Sequence, residues 1–191
     1  MAVRVVIAED EAIIRLDLRE ILEEEGYEVV GETGRGDEAV ALVKEHEPDL
    51  VILDIKMPGL DGLAAAREIA GEGRAAVLIL TAFSQRDLIE QARDAGALAY
   101  LVKPFQKTEL IPAIEVALAR FQEMQALQRE NAGLQERLEA RKLVDRAKGK
   151  LMDEHGMKEV EAFTFIRTQA MNARVTLGEV AQRVLDGQLT P

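Results

Sequence analysis

Five short apolar runs punctuate the first hundred residues, at Val3–Ala8, Glu28–Gly31, Leu50–Ile55, Ala76–Thr81 and Ala99–Val102. The runs from Leu50 and Ala76 are almost unbroken Val, Ile and Leu, as in strands covered on both faces of a parallel sheet. Between the runs lie segments of helical period. Residues 11–25 put Ile14, Leu18, Ile21 and Leu22 on one stripe and close at Gly26, and 37–46, 61–70, 85–95 and 108–121 pass the same test. Strand and helix alternating in this way predict a doubly wound α/β sheet of five parallel strands with right-handed crossovers. The expected strand order is the flavodoxin-like 2-1-3-4-5, although alternation by itself does not fix it.

The fifth helical pattern runs on past the end of such a domain. From Glu109 to about Glu139 it meets one proline, Pro112, expected in the first turn where a missing N–H is tolerated, and one glycine, Gly133. Ala117, Met124, Asn131 and Leu138 are spaced by seven, with Leu127 and Leu134 three residues after two of them. This is a short a/d seam with one polar a-type residue, interrupted by Arg120 in its d series. Two readings stay open for a linker over 109–140: a coiled coil between two copies, or a connecting helix packed on the chain's own domains.

After Arg141 the pattern resets into three amphipathic pieces, 141–154, 158–172 and 176–187. Val160, Phe163, Ile166 and Ala170 form the expected stripe of the second piece, and Thr176 with Glu179 makes a capping box for the third. Met152, Met157 and Met171 read as core filler. Residues 141–191 are thus expected to be a small three-helix all-α module, near the lower size limit for independent folding.

Composition narrows the function. With 191 residues, 48% hydrophobic and 31% charged, the chain suits a domain of ordinary size with a small companion, not a fibre or a disordered tail. The absence of cysteine excludes disulfides, thiolate metal sites and cysteine nucleophiles. The net charge of −11 argues against binding nucleic acid or membrane over the whole surface, but it is unevenly spread. Residues 1–140 carry 15 Lys/Arg against 28 Asp/Glu, whereas residues 141–191 carry nine against seven. No apolar stretch approaches the ~18 residues of a membrane span, and the start at Met1–Arg4 lacks the charged-then-apolar order of a signal peptide. A cytoplasmic location with no membrane partner is expected.

In open α/β sheets ligands bind outside the carboxyl ends of the strands. There the sequence places Glu9-Asp10-Glu11, Asp54, Thr81 and Lys103-Pro104, each directly after an apolar run. Converging carboxylates repel unless a cation shares them, and oxygen ligands open to water favour Mg²⁺ over zinc. Asp54, the carboxylate most deeply embedded in a buried strand, is the candidate nucleophile for an acyl phosphate. Asp10, with Glu9 behind it, would hold Mg²⁺ and shield the attacking carboxylate from the incoming phosphoryl charge. Lys103 would supply a fixed positive charge for the phosphoryl oxygens, and Thr81 a hydroxyl donor.

The segments Ile7-Ala8-Glu9-Asp10-Glu11, Leu53 to Gly62, Leu80-Thr81-Ala82 and Tyr100 to Phe105 resemble the receiver domain of two-component response regulators, over about residues 3–121. The resemblance implies a receiver domain at 1–121 with Asp54 as phosphoacceptor for a sensor histidine kinase. It also implies Mg²⁺ held by Asp10, Asp54 and the Lys56 backbone carbonyl, assisted by Glu9. Thr81 and Tyr100 would be the switch pair, and the Lys103–Pro104 bond would be cis. Such a protein is a regulatory phosphoacceptor and not an enzyme, beyond self-catalysed phosphorylation and dephosphorylation.

Ala147 to Met152, then Glu161-Ala162-Phe163, Ile166-Arg167, Ala170-Met171 and Val180-Ala181 resemble an ANTAR domain, over roughly 130–187. This resemblance implies a three-helix module, assigned to 141–191, that binds RNA hairpins and promotes transcription antitermination. Its basic residues Arg141, Lys142, Arg146, Lys148, Lys150, Arg167 and Arg174 are the candidate RNA contacts. A homodimer promoted by phosphorylation is the expected link between the modules.

Competing readings of the tail are a duplex-DNA reader or an adaptor that only dimerises. The third helix opens Thr176-Leu177-Gly178-Glu179, with an acid where a phosphate-facing cation would be expected, which disfavours DNA. A stand-alone phosphatase or phosphotransferase would want an acid two positions after Asp54, where Lys56 stands. Gly31 to Gly36 matches neither GxGxxG nor a P-loop, and His46 and His155 have no ligand-spaced partners.

Overall fold

Each apolar run forms a strand: β1 (Arg4–Ala8), β2 (Glu28–Thr33), β3 (Leu50–Asp54), β4 (Ala76–Thr81) and β5 (Ala99–Val102). In this computed structural model, which describes residues 2–82 and 86–191, they pair in parallel in the order β2-β1-β3-β4-β5. Alternate residues of the central strands face opposite layers. Val6, Ala8, Val51, Leu53, Val77 and Ile79 pack with α2 (Gly36–His46), α3 (Gly62–Glu72) and Ala92 of α4 (Arg86–Asp94). Val5, Ile7, Leu50, Ile52, Leu78 and Leu80 pack with Leu18 and Leu22 of α1 (Ala12–Glu24) and with Leu110, Ile114 and Ala117 of α5 (Lys107–His155). Two covered faces explain why β3 and β4 read as continuous apolar runs. Residue 85, where the fourth helix was expected to begin, lies outside the described residues.

The chain divides into two compact units, Met1–Ala126 and Leu127–Pro191, and α5 contributes to both. The second unit has its own core. Val144, Ala147 and Leu151 of α5 meet Ala162, Ile166 and Ala170 of α6 (Glu159–Ala173) and Val180, Ala181 and Val184 of α7 (Leu177–Leu185). α7 starts at the expected capping box, with Thr176 accepting from the Glu179 N–H and Glu179 accepting from the Thr176 N–H.

Several sequence expectations are corrected. The backbone does not break at Arg141, because the segment before it is rich in Leu, Gln, Glu, Arg and Ala, all good helix formers. Pro112 is the sixth residue of α5, past the first turn, in a stretch anchored by buried Leu110 and Ile114. Ala117 is not a seam residue, since it is fully buried against the sheet. Leu127, Leu134 and Leu138 of the seam are exposed. In α6 Ile166 and Ala170 of the expected stripe are buried, but Ala162 joins them in place of Val160 and Phe163, which are 76% and 39% exposed. Met152 and Met171 are also exposed, and only Met157 packs against the core.

Gly62 and Gly36 are dictated by close approach, Gly36 to the Leu60 carbonyl. The Gly62 N–H donates to the Ile55 carbonyl (2.9 Å), and a Cβ built on Gly62 would overlap the Asp54 carbonyl oxygen. Gly62→Ala is therefore expected to destabilise the first unit by about 2–3 kcal/mol through overpacking, read as a lower urea midpoint by circular dichroism.

Candidate functional site

The site lies at the carboxyl edge of the sheet because the strands end there in register. The Glu9 N–H donates to the Thr33 carbonyl, and the Lys103 N–H donates to the Thr81 carbonyl (2.8 Å), so the ladder carries Glu9 and Lys103 just beyond their strands. Asp54 and Thr81 are the last residues of β3 and β4 and are buried. A cleft of about 550 Å³ opens over them, lined among others by Asp10, Asp54, Lys56, Thr81, Leu88 and Lys103. The Lys103–Pro104 bond is cis.

Carboxylate oxygens of Glu9, Asp10 and Asp54 lie within 4.8 Å of one another. Lys103 Nζ reaches in from the far side, 3.0 Å from Asp54 Oδ1 and 2.6 Å from Glu9 Oε2. Asp54 Oδ2 accepts from the Lys56 N–H (3.1 Å), and Glu9 Oε1 accepts from the Glu11 N–H (3.2 Å). Glu9 Oε2 is different. It sits at ion-pair distance from Lys103, yet at an angle that leaves it, fully shielded from water, without a directed hydrogen bond.

Three carboxylates against one ammonium leave two negative charges uncompensated, the charge of one divalent cation. Burial pushes the Glu9 carboxyl up from its ordinary value of 4.5, and the neighbouring Asp54 adds to that, while Lys103 offsets part of it. Burial alone would lower the Lys103 pKa, but its contacts with Glu9 and Asp54 outweigh burial and raise it. An oxygen-only donor set, with one oxygen lacking a hydrogen bond, fits a hard cation such as Mg²⁺.

Tyr100 faces outward, 45% exposed, and lines a groove with residues of α4 and α5. Two contributors escape sequence reasoning. Arg15 donates to the Glu9 carbonyl from within α1, and Leu88 of α4 walls the cleft. Neither stands next to a motif, and only the sheet packing brings them there.

The basic residues of the second unit separate into two groups. Lys148 is held by Asp145 and Glu159 (both 2.9 Å), and Lys142 pairs with Glu139 (2.8 Å). Lys150 donates to the Leu185 carbonyl at the end of α7 (2.8 Å), which gives it a structural use. Among the described residues, Arg141, Arg146, Arg167 and Arg174 are exposed and make no side-chain hydrogen bond or ion pair. Among the described residues, no helix is long and apolar enough to cross a membrane.

Residues 5–115 match the family model of the response regulator receiver domain, and residues 132–185 that of the ANTAR domain. The transcriptional regulatory protein PdtaR of Mycobacterium tuberculosis is 61% identical over 188 residues, 98% of this chain and 92% of that protein. The receiver domain of the response regulator NarL from the same organism aligns with a TM-score of 0.59 and 32% identity, over 62% of this chain and 97% of that one. The chemotaxis protein CheY, in a complex with CheX, BeF₃ and Mg²⁺ from Borrelia burgdorferi, aligns with a TM-score of 0.56 and 27% identity. That match covers 59% of this chain and 86% of the other.

The crowding of charge predicts opposite effects with and without metal. Mg²⁺ at a hundredfold over its Kd should stabilise the parent by about 2.7 kcal/mol. Asp10→Asn should abolish most of that gain while raising stability in EDTA, and urea midpoints read both. A group whose pKa rises on folding stabilises fully below its unfolded pKa and loses that contribution as pH climbs through the folded value. In EDTA the advantage of Glu9→Gln over the parent should therefore grow as pH rises through and above the ordinary carboxylate range.

Proposed function

We propose that this chain, which belongs to the response regulators that join a receiver domain to an ANTAR domain, takes a phosphoryl group on Asp54 from a sensor histidine kinase and answers by binding RNA hairpins in transcription antitermination. The observation that carries the first half is the placement of Asp54: buried on a central strand, 3.0 Å from Lys103, and facing an open cleft beside two further carboxylates. Nucleophilic attack by an Asp54 carboxylate oxygen on the donor's phosphorus forms the acyl phosphate and releases the imidazole of the donor histidine. Lys103 is placed to neutralise charge on the transferred group, and Thr81 offers it a hydroxyl. Glu9, Asp10, Asp54 and the Lys56 carbonyl are the proposed holders of Mg²⁺, which when bound neutralises charge between the carboxylate and the incoming phosphate. The solved CheY relative with BeF₃ and Mg²⁺ supports that assignment.

The proposed switch is a shift of population. Thr81 turns to the phosphoryl group, and Tyr100 moves inward from its exposed position. The proposed division of labour is a receiver over 1–121, a helical linker over 109–140 and an RNA-binding module over 141–191. The exposed leucines 127, 134 and 138 support pairing of the linker with a second copy, with Asn131 fixing the register. The ANTAR match and the four unpaired arginines support RNA as the output ligand.

Two experiments test this reading. With Mg²⁺ and acetyl phosphate, intact mass should show one phosphoryl group on the parent and none on Asp54→Asn; an adduct persisting on the variant would refute the assignment. Replacing Arg141, Arg146 and Arg167 by Gln should weaken hairpin binding and flatten the plot of log affinity against log salt by about 0.7–0.9 per lost phosphate contact. Unchanged affinity would instead favour an adaptor whose tail serves dimerisation.

A further inference from the structure

The glycine-rich stretch Gly31 to Gly36 matches no nucleotide motif and has no part in the reading above. The fold sets its last residues, Gly34 to Gly36, between the two loops that carry the proposed Mg²⁺ ligands. On one side Gly34 faces the turn from β1 to α1. A Cβ built on Gly34 would lie 3.5 Å from the Asp10 Cα, 3.7 Å from the Glu9 carbonyl oxygen and 3.4 Å from Arg15 Nη1. On the other side Gly36 abuts the loop from β3 to α3, which contains Lys56. Its N–H donates to the Pro58 carbonyl (3.4 Å), and a Cβ there would overlap the Leu60 carbonyl oxygen.

The turn from β1 to α1 is fixed by groups from outside it. The Glu9 N–H is held by the Thr33 carbonyl of β2, and the Glu9 carbonyl by the guanidinium of Arg15. α1 itself has no side-chain cap at Glu11, so its own start does not supply that restraint. Arg15 is half-buried, and among the described residues it pairs with no carboxylate, although Glu9, Asp10 and Asp54 converge beside the turn it holds. Its one directed bond goes to the backbone. Mg²⁺ accepts only near-octahedral ligands at about 2.0–2.1 Å, so the backbone that carries Glu9 and Asp10 has to be placed closely.

We propose that Arg15 is a positioning residue for the Mg²⁺ site, clamping the Glu9–Asp10 turn against Gly34 so that its carboxylates and that of Asp54 meet one ion. The inference rests on the Mg²⁺ reading above and adds the group that sets the spacing of the ligands. Charge and geometry give Arg15 opposite effects. A cation that merely stands nearby repels Mg²⁺, so its removal would tighten binding. A guanidinium that orders the ligands does the reverse, and its removal weakens binding. Ordering dominates, because solvent screens the half-exposed charge, whereas groups that orient metal ligands without touching the ion are worth about 10–100-fold in affinity.

The test titrates MgCl₂ into the metal-stripped full chain by isothermal calorimetry. Arg15→Ala should raise the Kd about 10–100-fold. Arg15→Lys, which keeps a donor for the Glu9 carbonyl, should recover most of that loss. Gly34→Val, which crowds the guanidinium but leaves its charge in place, should shift the Kd in the same direction as Arg15→Ala. A Kd for Arg15→Ala equal to or below that of the parent would overturn the assignment and leave Arg15 a bystander cation. Arg15→Lys as weak as Arg15→Ala would overturn the carbonyl bond as the cause. If Arg15→Ala fails to fold by circular dichroism, Gly34→Val decides, a raised Kd supporting the clamp and an unchanged one overturning it. A parent that binds no Mg²⁺ would overturn the Mg²⁺ reading and this inference with it.

Discussion

The structure depends on one ammonium group facing more negative charge than it can neutralise. Lys103 bridges Glu9 and Asp54 at the sheet edge, and Asp10 lies close by with no cation of its own among the described residues. Burying ion pairs is expensive, and a cluster left two charges short is more so. The fold tolerates this because the flanking strands are held by apolar packing on both faces, so the edge cannot relax by splaying. Chemistry follows from that constraint. A site with surplus negative charge is suited to a divalent cation, and a carboxylate whose charge is shared in that way can meet a phosphate with less repulsion.

The second unit solves a different problem with fewer means. Its core contains four alanines, Ala147, Ala162, Ala170 and Ala181, which let three helices approach closely but bury little area each. Cations supplement this packing, as where Lys150 meets the last carbonyl turn of α7 and Lys148 ties α5 to α6. Basic residues in such a domain are thus of two kinds, those that hold helices together and those left facing solvent. Charge counting does not distinguish them.

Residues whose chemistry is set by strand ends were legible from sequence. Glu9, Asp10, Asp54, Thr81 and Lys103 each follow an apolar run directly, and parallel strands put such positions at one edge whatever the loops do. Residues on helices were not legible in the same way. Ile166 and Ala170 are at core spacing both with Val160 and Phe163 and with Ala162, and two overlapping stripes that share residues cannot be ranked without the partner helices.

Sequence by itself determined the layers, the alternation and the polar groups at the strand ends, because strand period and helix period are local and strongly different. Tertiary structure decided the rest: which face of each helix is buried, where a long helix passes from one unit to the next, and which cations remain unpaired. Those depend on which side chains arrive from elsewhere in the chain, and no local pattern contains that information.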